Sequence, residues 1–164
     1  MRIRLRKMSA AAFADFADRS ARAYAEDLAQ ARGLPMAQAL AQARRELCAA
    51  LPQGPETANQ RLLSIEDADS GRDVGWLWFL FEATDGVRQV FLNDLWIAEA
   101  ARRRGCAAAA LSEMERLAEA EGCEESVLYV WRLNEPGVRL YQKCGYRPFR
   151  EAEGGMYMKK RLRA

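Results

Sequence analysis

Apolar and charged residues alternate over the first few positions of the chain, and the pattern then changes to helical spacing. The segment "RIRLR" predicts a short strand with Ile3 and Leu5 facing inward. Ser9 is a suitable helix cap, and apolar residues recur every three or four positions over the segment 10–31, as far as Gly33. We therefore expect one or two helices here, and then a further helix that ends at the proline-containing segment "LPQGPET".

The second part of the chain is dominated by strand-like runs. Three of them, "NQRLLSIED", "VGWLWFLFEA" and "RQVFLNDLWI", are separated by turn residues and predict three antiparallel strands. A helix that ends at Gly122, the strand "SVLYVW", a helix that begins after Asn134 and two final strands in "GYRPF" and "GMYMKKRL" complete the chain. This order of elements predicts an α+β fold around one central sheet.

Length and charge restrict the classes of function. A chain of 164 residues is expected to form a single domain, residues 1–164. Its net charge of +2 does not indicate general affinity for nucleic acid. No segment is long and apolar enough to span a membrane, and the first residues lack the apolar core of a signal peptide. These features favour a protein that does not bind membranes and that lies in the cytoplasm.

The contents of cysteine and histidine restrict the chemistry. The four cysteines are scattered, without the spacing of metal ligands, and the chain has no histidine. We therefore expect no metal, and no nucleophile that depends on a histidine base. Scattered cysteines are also typical of a reducing compartment, which agrees with a cytoplasmic location.

The segment "ARRRGCAAAAL" combines three consecutive arginines with a run of small residues. Arg102, Arg103 and Arg104 precede Gly105, and a helix with several alanines follows. The start of a helix exposes unpaired N–H groups, which bind phosphate readily, and glycine allows a ligand to approach the backbone closely. Taken alone, however, this pattern is also typical of a solvated basic loop before a packed helix.

Two segments together resemble the sequence signature of the GNAT family of N-acetyltransferases. In "LWIAEAARRRGCAAAAL", the end of an apolar strand is followed by the family pattern Gln/Arg-x-x-Gly-x-Gly/Ala. In "NEPGVRLYQKCGY", Asn134, Gly137, Leu140 and Tyr141 match the pattern Asn-x-x-Ala/Gly-x-x-Leu-Tyr. The resemblance is strong over residues 90–150, whereas the earlier part of the chain is more weakly similar to a bacterial subgroup of the family.

The resemblance implies the GNAT fold, in which about seven strands form a mixed, mostly antiparallel, twisted sheet that is flanked by helices and splayed at the cleft for acetyl-CoA. Acetyl-CoA would be a cosubstrate, with its pyrophosphate on the N–H groups of residues 103–108. Its pantetheine arm would pair with the strand that ends at Ile97, whose N–H would polarise the thioester carbonyl. The residues that the resemblance assigns to binding of acetyl-CoA are Leu95, Trp96, Ile97, Arg102, Arg103, Arg104, Gly105, Cys106, Ala107, Ala108, Asn134 and Tyr141.

The resemblance also implies direct transfer of the acetyl group to an amine. Tyr141 occupies the position of the family's proton donor, and a phenol with a pKa near 10 is mostly protonated at neutral pH. Its alternative role is packing, like that of its neighbour Leu140. Asp94 is the first candidate for the general base by position and Glu66 is the second, although Asp94 could equally order the strand, and family members often use water instead.

The class of protein and its partners follow from the same resemblance. The expected enzyme is an acyltransferase that takes acetyl-CoA and an amine acceptor, which is either a small molecule or a protein amine. The alternative function is a non-catalytic module that binds or senses acyl-CoA on the same fold. Retention of both Tyr141 and the glycine turn favours catalysis, since a sensor needs only the turn. Either a monomer or a homodimer is compatible with the sequence.

Overall fold

The computed structural model describes residues 1–162 of the chain and contains the helices and strands that the sequence predicts. Short 3-10 turns occur at Gly54–Glu56 and Glu99–Ala101. None of the helices in the described residues has both the length and the apolar character needed to cross a membrane. The elements in chain order are β1 (Ile3–Lys7), α1 (Ala10–Arg32), α2 (Met36–Ala50), β2 (Gln60–Asp67), β3 (Asp73–Thr84), β4 (Val87–Ile97), α3 (Cys106–Ala120), β5 (Glu125–Trp131), α4 (Glu135–Lys143), β6 (Arg147–Ala152) and β7 (Gly155–Arg161).

The chain divides into two compact units. One consists of Met8–Gln60 and holds the first two helices, while the other consists of Met1–Lys7 and the chain from Arg61 onward. Whether the whole chain behaves as a single domain remains a prediction.

The helical unit begins and ends its first helix as the sequence predicts. The Ser9 hydroxyl accepts a hydrogen bond from the Ala12 N–H (3.1 Å), and Gly33, with a φ of 66°, ends α1 in the left-handed conformation. Pro35 then stands at the start of α2, where a missing N–H has no cost. The predicted helical region is therefore one long helix followed by a shorter one.

The larger unit is built on one seven-stranded sheet with the order β1-β2-β3-β4-β5-β7-β6. The β4–β5 pair is parallel, whereas β1–β2, β3–β4, β5–β7 and β6–β7 are antiparallel. This confirms the prediction of a mixed, mostly antiparallel sheet. The final hairpin inserts β7 beside β5, so the last strand in sequence is not the edge strand.

The core of this unit lies between the sheet and α3. The helix buries its small and apolar side chains against alternate residues of the central strands, which include Leu77, Leu92 and Leu128. At about 25 cal/mol for each Å² of apolar surface, this burial is the main force that stabilises the unit. The buried residues of the helix are Cys106, Ala110, Leu111, Met114 and Ala118.

Candidate active site

The parallel pair β4–β5 separates before either strand ends. The ladder between the two strands ends where Leu92 lies opposite Leu128, although β4 continues to Ile97 and β5 to Trp131. An extra residue on β4, Asn93, forms a bulge in the ladder with β3. A bulge bends its strand and increases the local twist. The sheet therefore has an opening between the carboxyl ends of two neighbouring strands, as the predicted fold requires.

Backbone groups of β4 point into this opening. The Ala98 N–H donates to the carbonyl of Val74 on β3 (2.8 Å). Successive residues of a strand direct their backbone groups to opposite edges, so the N–H and C=O groups of Trp96 point toward β3, as those of Ala98 do. Leu95 and Ile97 then direct their backbone groups toward the opening. These two residues are the ones whose N–H and C=O groups can pair with an extended ligand.

The turn that follows β4 has an unusual backbone. After the 3-10 turn Glu99–Ala101, Arg103 has a φ of 59° and Gly105 a φ of 78°, so both lie in the left-handed region. Only glycine adopts this region without steric cost, and a residue such as arginine is uncommon there. The Nε of Arg102 donates to the Ile97 carbonyl (2.9 Å), which ties the turn to the end of the strand. All three arginines are exposed.

The first turn of α3 leaves its backbone uncovered. Gly105 provides no side-chain cap, so the N–H groups at the start of the helix have no partner within the helix. Cys106 is buried and directs its sulfur to the Ala101 carbonyl (3.5 Å), while Ala107 and Ala108 carry only methyl groups. Together with the positive end of the helix dipole, these N–H groups form a suitable seat for a phosphate.

The second signature segment positions Tyr141 on α4. The Asn134 side chain caps this helix by accepting a hydrogen bond from the Gly137 N–H (3.1 Å). A Cβ on Gly137 would lie 2.5 Å from Asn134 Nδ2, so the glycine makes room for the cap. The first role of Asn134 is thus to start the helix, and its predicted contact with acetyl-CoA remains a prediction.

Tyr141 and Asp94 lie near each other. Burial, the negative charge of Asp94 and the neighbouring Cys144 all raise the pKa of the Tyr141 phenol, burial being the largest cause. Tyr141 is half-buried, as is Asp94. The charge of Asp94, on the part of β4 that lies beyond its ladder with β5, therefore acts on a phenol that stays protonated at neutral pH.

A tryptophan on the neighbouring strand binds the Asp94 carboxylate. The indole Nε1 of Trp76 on β3 donates to Asp94 Oδ2 (2.8 Å). The ring of Trp76 also stacks on that of Trp96, with centroids 4.3 Å apart and an interplanar angle of 22°. This hydrogen bond is not evident from the sequence. The only feature that hints at it is the spacing of Trp76 and Trp78, which places both side chains on one face of the hairpin.

Glu66, the second candidate for the general base, has a different environment. Its side chain is only 6% exposed and is paired with Arg4 Nη1 (3.4 Å) and Arg6 Nη1 (3.3 Å) on the adjacent strand β1. Two guanidinium groups compensate the charge of this buried carboxylate, as burial of an ion requires. This arrangement is typical of a structural ion pair and leaves Asp94 as the better candidate.

A comparison with known families identifies the family of the chain. The sequence model of the Acetyltransferase (GNAT) family matches residues 51–146, which is more than half of the chain. This chain belongs to the GNAT family. The match includes the bulged strand β4, the glycine turn and the helix that carries Tyr141, and it therefore confirms the resemblance seen in the two sequence segments.

Individual GNAT relatives agree with this result. The uncharacterized N-acetyltransferase YdgE of Bacillus subtilis (strain 168) is 33% identical over 96 residues, a match that covers 58% of this chain and 60% of YdgE. The structure of YycN from Bacillus subtilis, provisionally assigned as an acetyltransferase, has a TM-score of 0.85 at 25% identity over 92% of this chain and 96% of YycN. The PaiA N-acetyltransferase of Thermoplasma acidophilum, solved in complex with coenzyme A, has a TM-score of 0.72 at 19% identity over 99% of this chain and 100% of that one, which shows the fold alone.

The predicted GNAT site residues fall into three places in the structure. Leu95 and Ile97 line the opening in the sheet, residues 102–108 form the glycine turn and the start of α3, and Tyr141 lies on α4, where the charge of Asp94 acts on its phenol. Their roles toward acetyl-CoA and the acceptor remain predictions. Within residues 1–162, no group of three or more side chains is arranged to hold a metal ion.

Proposed function

We propose that this chain is an N-acetyltransferase that moves the acetyl group of acetyl-CoA directly to an amine. The observation that carries the proposal is the opening between β4 and β5 together with the uncapped start of α3, where the charge of Asp94 also acts on the Tyr141 phenol. A module that only binds acyl-CoA has no need for a carboxylate beside a protonated phenol. Membership of the GNAT family supports the proposal, as does the relative that was solved with coenzyme A.

The donor would be held mainly by backbone groups. The N–H groups at the start of α3 would bind the pyrophosphate, while Arg103 and Arg104 would attract the anion from solution. Farther along, Leu95 and Ile97 would pair with the pantetheine arm at the open edge of β4. Ile97 would also donate its N–H to the thioester carbonyl, where negative charge develops during attack. Trp96 would contribute to this site only through its side chain, because its backbone N–H and C=O groups are directed to β3.

The chemical step needs one proton to be removed and one to be supplied. The amine nitrogen attacks the carbonyl carbon, a C–N bond forms, the C–S bond breaks, and its electron pair stays on sulfur as a thiolate. Asp94 would take the proton that the nitrogen loses, and Tyr141 would give its proton to the thiolate. Return of the Asp94 proton to the tyrosinate oxygen, directly or through water, restores both residues and balances the reaction.

A raised pKa suits Tyr141 for this role in the resting enzyme. Burial disfavours the tyrosinate, so the phenol is fully protonated when the thioester binds. The same desolvation also disfavours the thiolate that forms beside it. The proton transfer between the two groups is therefore less unfavourable than the raised pKa of Tyr141 alone suggests.

Further parts of the proposal concern the setting of the enzyme. All four cysteines are free thiols, which supports a cytoplasmic location in a bacterium, since the named relatives from Bacillus subtilis are bacterial. The partners would be acetyl-CoA and an amine, from a small molecule or a protein. We propose a single functional domain over residues 1–164, active as a monomer or a homodimer.

The deciding experiment measures release of free thiol from acetyl-CoA in the presence of a panel of amines and peptides. We expect thiol release that depends on at least one acceptor, and an acetylated product whose mass is higher by one acetyl group. Binding of coenzyme A, measured by calorimetry, separates the two candidate functions. Tight binding without turnover on any amine would favour the acyl-CoA-binding module.

A further inference from the structure

Trp76 is connected to the candidate active site through a single polar atom. Its side chain is 6% exposed, and its indole N–H donates to Asp94 Oδ2 at 2.8 Å. An indole N–H can only donate a hydrogen bond. It therefore interacts favourably with a carboxylate and less well with the carboxylic acid that forms when Asp94 takes a proton.

The bulge at Asn93 creates this contact. In the half of the hairpin nearest its turn, Phe79 lies opposite Leu92, but beyond the bulge Trp78 lies opposite Asp94. If the ladder continued regularly past Leu92, Asn93 would lie opposite Trp78 and Asp94 opposite Leu77, so that Asp94 would point to the other face of the sheet. The bulge thus sets the face on which Asp94 meets the tryptophans.

The rings fix the orientation of the indole. Trp76 stacks on Trp96 at 4.3 Å, and the two residues lie opposite each other in the ladder. An aromatic pair of this kind contributes about 0.5–1.5 kcal/mol beyond the surface that it buries. The N–H is consequently directed at Asp94 by packing. The negative charge of Asp94 also acts on the Tyr141 phenol of α4.

We propose that Trp76 is a positioning residue for catalysis, which holds the ionised Asp94 carboxylate by its indole N–H so that Asp94 can accept the proton of the acceptor amine. The inference rests on the proposed function, because it assigns Asp94 as the general base. Trp76 itself touches no reacting atom. Its effect is on the stability of the ionised form of Asp94 and on the direction of the second carboxylate oxygen.

The test uses Trp76→Phe, which keeps an aromatic ring for the stack and removes only the N–H group. The pKa of Asp94 is measured by NMR from the chemical shift of its side-chain carboxyl carbon. The resonance is assigned to Asp94 because it disappears in Asp94→Asn. Trp131→Phe is the matched control, since Trp131 lies on β5 and contacts Tyr129 edge to face (centroids 5.3 Å apart). Thermal unfolding confirms that each variant is folded.

We expect the pKa of Asp94 to rise by about one pH unit in Trp76→Phe, because the ionised form loses a hydrogen bond. It should not change in Trp131→Phe. In the same titration, the indole N–H resonance of Trp76 should shift with the ionisation of Asp94 and lose that shift in Asp94→Asn. An unchanged Asp94 pKa in Trp76→Phe would overturn the inference.

Turnover provides the second readout. At neutral pH, kcat of Trp76→Phe should fall on the order of tenfold, as expected of a misplaced catalytic group, while KM for acetyl-CoA changes less than twofold. In the Asp94→Asn background, Trp76→Phe should cause no further loss. An equal loss in both backgrounds would mean that Trp76 acts by packing alone and would overturn the inference. If the wild-type chain shows the titration but acetylates no amine, the proposed function fails while the coupling of Trp76 to Asp94 stands.

Discussion

The rings of Tyr141 and Tyr146 lie edge to face, with centroids 5.9 Å apart and an interplanar angle of 63°. Burial is the largest cause that raises the pKa of each phenol. Their hydroxyl groups nevertheless have different surroundings. That of Tyr146 is fully buried between Ser126 Oγ (2.7 Å) and Glu115 Oε1 (3.0 Å), whereas Tyr141 is half-buried beside the proposed general base. Replacement by phenylalanine is therefore expected to impair catalysis at Tyr141 and stability at Tyr146, although the two residues are only five positions apart.

Replacing Tyr141 by phenylalanine should impair chemistry and spare binding. The change removes one hydroxyl group and keeps the ring that contacts Tyr146. We expect kcat to fall on the order of 10²-fold, as for loss of a general acid, with an unchanged dissociation constant for coenzyme A. Stopped-flow thiol release and calorimetry measure the two quantities. Turnover equal to that of the wild type would remove Tyr141 from the mechanism.

Replacing Tyr146 by phenylalanine should have the reverse effect. The Ser126 hydroxyl and one Glu115 oxygen would lose their buried partner, although Lys160 Nζ would still contact the other Glu115 oxygen (2.6 Å). A buried polar group without a partner costs about 1–3 kcal/mol of unfolding free energy. Urea denaturation should show this loss, with kcat within about twofold of the wild type at 25 °C. A loss of kcat like that of Tyr141→Phe would show that the two phenols act together.

The same phenol predicts how stability depends on pH. Since the folded state raises the pKa of Tyr146 above its unfolded value near 10, its proton is held more tightly when folded. Its contribution to stability is complete below about pH 10 and is lost as the pH rises above that value. Between pH 10.5 and 12, the unfolding free energy of Tyr146→Phe should decline less steeply than that of the wild type, by about 1.4 kcal/mol per pH unit. Parallel declines in the two proteins would contradict the assignment.

Local signals in the sequence were sufficient for the elements themselves. Ser9, Gly33 and Gly122 mark helix ends because each has a local physical reason to do so, a side-chain cap in the first case and a left-handed φ in the other two. The turn at Gly105 also follows from residue type, whereas the left-handed φ of Arg103 does not. The resemblance of two segments to the family implied a mixed, mostly antiparallel sheet, which the structure confirms.

The surroundings of the candidate bases depended on long-range register. A single bulge at Asn93 decides which face of the sheet Asp94 occupies, and nothing in the alternation of β4 marks that residue as the extra one. Glu66 obtains its partners from β1, more than fifty residues away in sequence. Contacts of this kind are set by strand pairing, which no local pattern specifies.

Two glycines at opposite ends of α3 allow the donor site to be tested against a matched control. Gly105 precedes the helix with a φ of 78° and Gly122 follows it with a φ of 79°, and a Cβ at either would meet nothing within 4 Å. Alanine at either position should therefore have the same conformational cost, roughly 1–2 kcal/mol of unfolding free energy. Thermal or urea denaturation of Gly105→Ala and Gly122→Ala should give similar values.

Only the Gly105 variant should affect the donor. Its new methyl group would stand beside the N–H groups at the start of α3, where the pyrophosphate is proposed to bind, whereas Gly122 lies at the other end of the helix. We expect the dissociation constant for coenzyme A to rise about tenfold or more in Gly105→Ala, which corresponds to about 1.4 kcal/mol, and to be unchanged in Gly122→Ala. Gly105→Glu, which adds bulk and negative charge, should abolish binding. If Gly105→Glu is folded and still binds coenzyme A tightly, the pyrophosphate does not bind at this turn.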